Sequence, residues 1–314
     1  MINSKNLCET GAGWGGFWRP AAVLRAHGED ARAFLQGQCS QDLLSAGGAA
    51  GVERAVHTLW LTPKGRVLAD SFVLVAGPAE VWLVSYFSPA AELRAHLEKH
   101  IVADDVMIED CTADWHGLAL GGDGAAVWLR ARAGTEPPGA GSFARATNGF
   151  VFRGRRCAGE SWEWLTPAPV ALPADGALAA VSADTLERMR LADGVPAVPA
   201  DIGPGELPHE AGLDAAAVSY TKGCYVGQEV MARLRTGTIR RRLARVRGTG
   251  TPPPRGTALF QGAKKVGELR STCADSAGDW LGLALLTLLQ LDAAAPLAPA
   301  PDSAATIRLA DGGL

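Results

Sequence analysis

The chain has 314 residues, 47% of them apolar and 20% charged, with a net charge of −3 at neutral pH. This is the make-up of a globular protein with a real core, of about two domains by length, and it gives no global pull toward nucleic acid or an anionic membrane. The longest apolar run, WLGLALLTLLQL from Trp280, is about a dozen residues where a bilayer-spanning helix needs ~20, and the first twenty residues lack the apolar stretch of a secretory signal, so a soluble cytoplasmic protein is expected.

In chain order, GEDARAFLQG (28–37) reads as a short helix stopped by Gly37. ERAVHTLWL (53–61) and RVLADSFVLV (66–75) are strand-like. TPKG between them sets Pro63 and Gly65 at turn positions, which predicts a hairpin. A strand over 80–87 leads to a helix in which Ser88 is expected to cap, Pro89 suits the first turn, and Leu93, Leu97 and Ile101 share a face. GLALGGDGAAVWL and FVFRGRR read as strands. SADTLERMRLADG (182–194) predicts a helix capped by Ser182 and ended by Gly194. LADGVPAVPADIGPGELPHEAGLD follows as a long loop, and unstructured loops of that length are usually functional or disordered. Beyond about Arg240, short strands alternate with turn-rich breaks, which predicts a small β-barrel module of roughly 70 residues.

Six cysteines stand at 8, 39, 111, 157, 224 and 273, with no CxxC pair or Cys/His cluster at metal-ligand spacing. They are expected to be free thiols, and no metal site built by this chain alone is expected. His96 and His100, four apart on the expected helix, lack a third ligand nearby and read as a solvated face.

One cysteine has an unusual setting, KGCYVGQE at 222–229. Gly223 and Gly227 leave backbone exposed. Lys222 beside Cys224, with Arg233 and Arg235 following, would favour a thiolate; a turn glycine, a packed cysteine and a core tyrosine explain the same residues without chemistry. Glu210 in LPHEAGLD could accept two adjacent N–H donors from a ring edge, although most glutamates are simply solvated. The arginines at 233, 235, 240, 241, 242, 245 and 247 suit a polyanion such as RNA or a polyglutamate tail, or else form a solvated strand face or salt bridges to the other domain.

These segments together resemble the YgfZ-type folate-binding proteins, relatives of the glycine cleavage T-protein (aminomethyltransferase). KGCYVGQE matches their signature over its full length. DARAFLQGQCSQDL, LTPKGRVLAD, LERMRLADGVP and LPHEAGLD resemble their other blocks, so the resemblance covers most of residues 20–250. It implies an α+β fold of three T-protein-like domains in a ring, with residues 1–240 as the folate-binding region (two interleaved domains) and 241–314 as the C-terminal small β-barrel. It also implies that tetrahydrofolate sits in a central hole. Glu210 would hold the pterin. Lys64 of the TPKG turn, with Lys222, Tyr225 and Gln228 of the signature loop, would wall the hole. Arg233 would meet the folate glutamate or a partner, and Cys224 would carry thiol chemistry at the rim. The implied role is support of iron–sulfur cluster assembly or repair, and so of cluster-dependent tRNA modification, through cluster-assembly partners. Where T-proteins carry two adjacent aspartates, this chain has Ala69-Asp70, which counts against glycine-cleavage transfer. Asp70 remains a possible acid for the alternative reading, a tetrahydrofolate-dependent one-carbon transferase. Direct tRNA contact through the arginines is a further alternative.

Overall fold

The computed structural model describes residues 13–44, 53–275 and 278–310; Cys8 lies outside them. Three sheets organise the chain. The first has the order β3 (Arg54–Leu61), β4 (Val67–Val75), β5 (Glu80–Ser85), β2 (Ala22–His27), β6 (Met107–Asp110), all antiparallel. β4 is buried along nearly its whole length because both faces of the sheet are covered. Side chains alternate across a strand. Val73 and Val75 accordingly meet Leu35, Leu93 and Leu97 of helices α1 (Ala31–Gln38) and α2 (Ala90–Glu98). Phe72 and Leu74, on the opposite face, meet Phe150, Phe152 and Leu165 of the second sheet. Each fully buried leucine in such a layer contributes ~2–3 kcal/mol by area removed from water.

The second sheet runs β11 (Ala179–Val181), β1 (Trp14–Trp18), β7 (His116–Gly121), β10 (Ser161–Thr166), β9 (Gly149–Arg153), β8 (Phe143–Ala146). α3 (Ala125–Ala133) packs on its outer face. The expectation of a strand across GLALGGDGAAVWL is corrected here. The strand ends at Gly121, and Gly124, at φ +77°, starts α3. An apolar run this short does not separate strand from helix by periodicity. α4 (Ala183–Ala192) begins as expected, with the Ser182 hydroxyl accepting from Thr185 N at 3.2 Å.

Ser88 does not cap α2. The N-cap is Pro89, with no side-chain bond. The Ser88 hydroxyl instead donates to Val198 O at 2.9 Å and lies 3.2 Å from Asp70 Oδ1. The 195–235 segment folds over the turn end of the first hairpin: Val198, Ile202, Leu213, Tyr225 and Met231 pack on Leu59, Leu61 and Val67. Most of it is loop, with a single 3₁₀ turn at Pro208–Ala211 and a short helix α5 (Asp214–Ala217). The signature does not end in loop, since α6 (Gln228–Leu234) starts inside it.

The third sheet contains β13 (Ala258–Gln261), β14 (Lys264–Ala274), β15 (Asp279–Thr287), β12 (Arg241–Thr249) and β16 (Ile307–Leu309), in that order. It curls into a half-barrel. Ala298 exchanges two backbone bonds with Phe260 on one edge, both at 2.9 Å, and Leu297 exchanges two with Ile307 on the other, at 2.7 and 3.1 Å. Stitched this way, the edge strands no longer present open ladders to another chain. The fold is thus mixed α+β with a C-terminal β module, as expected. No helix among the described residues is long and apolar enough to cross a membrane.

Candidate functional site

Glu210 stands in the 3₁₀ turn after the Gly/Pro-rich loop and is almost fully buried. Its Oε1 accepts from Arg241 Nε at 2.8 Å. Its Oε2 accepts from Arg241 Nη2 at 3.0 Å and from Leu207 N at 2.9 Å. A carboxylate offers about four lone-pair sites, so three are filled, two of them by a bidentate arginine pair of the strong kind. Arg241 is the first residue of β12, and this pair ties the third sheet to the loop. Glu206 adds to it, lying 3.1 Å from Arg270 and 3.7 Å from Arg241.

Glu210 faces a cavity of about 450 Å³, lined also by Arg66, His209, Arg240, Arg241 and Thr287. The volume lies within the range of small-molecule sites. Three arginines against one carboxylate make it suit an anionic ligand. Arg66 follows the TPKG turn directly and donates to Gly205 O at 2.8 Å.

Of the residues expected at the folate site and its rim, Glu210 lines this cavity, as do Arg240 and Arg241 of the arginine group; Lys64, Asp70, Lys222, Cys224, Tyr225, Gln228 and Arg233 are not in its lining. Cys224 is exposed on the signature loop, and the loop is held from behind by its neighbours. Lys222, which the sequence suggested as the cation beside the Cys224 thiol, is buried and turned the other way. Its Nζ donates to Gln36 O at 2.6 Å, Cys39 O at 2.8 Å and Gln41 O at 3.0 Å. Three donors meet three carbonyls at the C-terminal end of α1, where helix carbonyls lack partners and a positive charge is favoured. Burial pushes the Lys222 ammonium below the ordinary lysine range, against the pull of Cys39 and Asp42. The thiol that Lys222 approaches is Cys39, at 3.8 Å, and burial pushes that thiol up in spite of the lysine. Tyr225 lies with its ring 5.1 Å from Lys222 Nζ, and burial pushes its phenol up to about 12. Gln228 Nε2 reaches Lys222 O at 3.5 Å. Arg233 is exposed and pairs with Glu229 at 2.5 Å. Lys64 is exposed at the tip of the turn.

Asp70 lies elsewhere, in a closed network. Its Oδ2 is 2.9 Å from His57 Nε2 and 3.1 Å from Arg155 Nη1, and Ser88 approaches Oδ1. Burial alone would raise its pKa; the hydrogen bond and charge of His57, with Arg155 and Ser88, outweigh that and hold Asp70 below the usual carboxylate range. His57 is lowered by burial and by Arg155. Sequence reasoning missed His57 and Arg155, and also missed Arg241 as the partner of Glu210. Nothing local marks the two arginines, since Arg155 is 85 residues from Asp70 and Arg241 is 31 from Glu210, whereas His57 lies 13 residues from Asp70 across the predicted hairpin. Among the described residues no group of three or more His, Cys, Asp or Glu side chains could hold a metal ion.

Comparison with known proteins agrees with the fold. Residues 21–143 match the GCVT N-terminal domain and residues 240–310 the CAF17 C-terminal beta-barrel domain. The human mitochondrial iron–sulfur cluster assembly factor IBA57 is 31% identical over 295 residues, 88% of this chain and 78% of that protein. The mouse protein of the same name is 28% identical, covering 76% and 67%. The solved glycine cleavage aminomethyltransferase T of Bartonella henselae superposes with a TM-score of 0.73 at 19% identity, over 91% of this chain and 82% of that one. At that identity the superposition shows the fold. The expectation of a cytoplasmic protein is corrected by the curated relatives, which are named as mitochondrial. The chain therefore belongs to the GcvT-fold family of the YgfZ and IBA57 iron–sulfur cluster assembly proteins.

Proposed function

We propose that this protein assists iron–sulfur cluster assembly or repair, and through it cluster-dependent tRNA modification. In this reading it binds a reduced folate such as tetrahydrofolate in the Glu210 cavity and offers the Cys224 thiol to the cluster. The observation that carries the reading is the contrast within the signature. Lys222 and Tyr225 are buried and anchor the loop, while Cys224 between them is exposed. A thiol meant for packing would be buried like Cys39; this one is held out on a fixed support. One thiolate cannot complete the coordination of a cluster, so a partner protein supplies the remaining ligands, and the cluster is cargo rather than a resident group.

The residues present suit a reduced folate. Glu210 can accept from the N–H edge of a pterin once Arg241 yields its place, and Arg66 and Arg240 can meet the folate carboxylates. Cavity and thiol are joined by α6. Leu234 at its end lines the cavity, and Gly227 at its start is three residues from Cys224. Seven helical residues span about 10 Å at ~1.5 Å each, so ligand at one end can bear on the loop at the other. Asp70, ionised and enclosed, has a structural part in this reading.

The test is complementation of a strain lacking the endogenous factor. Cys224→Ala should fail to restore the activity of cluster-dependent tRNA-modifying enzymes while accumulating to the wild-type level. Full restoration would remove the thiol from the account.

A further inference from the structure

A second cavity, of about 460 Å³, lies at the far end of the second sheet and shares no lining residue with the Glu210 cavity. Its construction follows from strand register. Trp18 pairs with Gly117, so Arg19 follows opposite His116, which in turn pairs with Thr166 on β10. Residues opposite one another across neighbouring strands share a face. Arg19, His116 and Thr166 therefore form a polar row, and two residues further along the same strands Phe17 and Leu118 continue that face as an apolar floor. Val170 closes it from the following loop. Phe17 is 48% exposed, a large ring left open to solvent inside a concavity.

The polar row contains an arginine without a neutralising partner. Arg19 Nη1 donates to His116 Nε2 at 3.3 Å, and Arg19 has no carboxylate partner among the described residues. A guanidinium can only donate, so Nε2 accepts and Nδ1 is left as the ring's donor. The Thr166 hydroxyl is taken by Ala168 O. Arg19 is thus the strong donor that remains, oriented by His116 at the edge of an apolar slot.

We propose that this cavity is a binding site for a small aromatic carboxylate, with the ring over Phe17 and Leu118 and the carboxylate on Arg19. A slot of this size takes a compound of one or two rings, and a planar fork such as Arg19 pairs a carboxylate through two parallel N–H bonds.

The probes are indole-3-propionate and its uncharged amide, titrated by calorimetry into wild type and into Arg19→Gln, Phe17→Ala and Glu210→Ala. The acid should saturate and bind at least about tenfold more tightly than the amide. Arg19→Gln should abolish that preference while leaving amide binding as it was. Phe17→Ala should weaken both ligands, and Glu210→Ala should change neither. Melting midpoints of the Arg19 and Phe17 variants, both at exposed positions, should stay within about 2 °C of wild type. No saturation of wild type by millimolar acid, equal affinity for acid and amide, or an unchanged preference in Arg19→Gln would overturn the proposal. A loss of binding in Glu210→Ala would place the ligand in the other cavity and overturn it too.

Discussion

Gly65 and Gly227 bring the first hairpin turn and the signature loop into backbone contact. A Cβ on Gly227 would lie 3.2 Å from Gly65 Cα and 2.8 Å from Thr62 O, and one on Gly65 would lie 2.8 Å from Val230 Cβ. Gly227 also holds φ +85° at the start of α6, a conformation that costs an L residue ~1–2 kcal/mol. Two segments far apart in sequence are therefore glycine at their meeting point for one steric reason. Gly227→Ala should lower stability by about 2 kcal/mol or more, measured by urea unfolding. An unchanged midpoint would mean that the two loops do not need this contact.

Lys222 and Cys224 are two residues apart and should behave oppositely on substitution. Lys222→Met leaves three carbonyls at the end of α1 without their donor, and should cost roughly 2–3 kcal/mol. Cys224→Ala removes an exposed side chain and should stay within about 0.5 kcal/mol of wild type. Thermal unfolding of both separates support from chemistry. A Lys222→Met protein as stable as wild type would contradict the anchoring role.

Glu210 and Arg241 hold each other through two charge-assisted hydrogen bonds. If the pterin edge takes the place of Arg241 on the carboxylate, breaking a partly exposed ion pair is part of the binding cost, ~1 kcal/mol or about fivefold in affinity. Arg241→Met should then bind tetrahydrofolate several-fold more tightly, with a lower melting temperature from the lost tie between β12 and the 3₁₀ turn. Weaker binding in this variant would show that Arg241 contacts the ligand rather than giving way to it.

His96 is lowered to about 4 by burial, with His100 and Lys99 adding to the effect, while in the unfolded chain an ordinary histidine titrates near 6.5. As pH falls from 6.5 toward 4, the unfolded state takes up the proton first, so the contribution of His96 is complete above about 6.5 and is lost across that window. His57 shifts in the same direction and remains in a His96→Gln variant. That variant should therefore lose stability less steeply between pH 7 and pH 5 than wild type. Urea midpoints at the two values check this, and an identical slope would assign the pH dependence to other groups.

Local signals in the sequence carried the elements whose ends are marked by turn or cap chemistry. The TPKG hairpin appears as β3 and β4, joined through Gly65 N bonded to Thr62 O at 2.8 Å, and α4 starts at its serine cap. The miss at 125–133 came from an apolar run with glycines at both ends, which fits strand and helix alike. The signature motif marked the right segment but not which way its side chains face. Lys222 points inward because α1 ends beneath it, a relation set by Val226 N bonding to Gly37 O at 3.3 Å and by the carbonyls at 36–41. Arg241, the partner of Glu210, and Arg155, one partner of Asp70, come from other sheets, and no periodicity or spacing within one sequence brings them together; His57 reaches Asp70 across the TPKG hairpin itself.

The most direct measurement is calorimetric titration of tetrahydrofolate into the wild-type protein and its Glu210→Ala variant. The account predicts saturable binding by wild type, weakened at least tenfold in the variant, with the variant still folded by circular dichroism. Absence of binding by the folded wild-type protein, or equal binding by both, would contradict a folate site at Glu210.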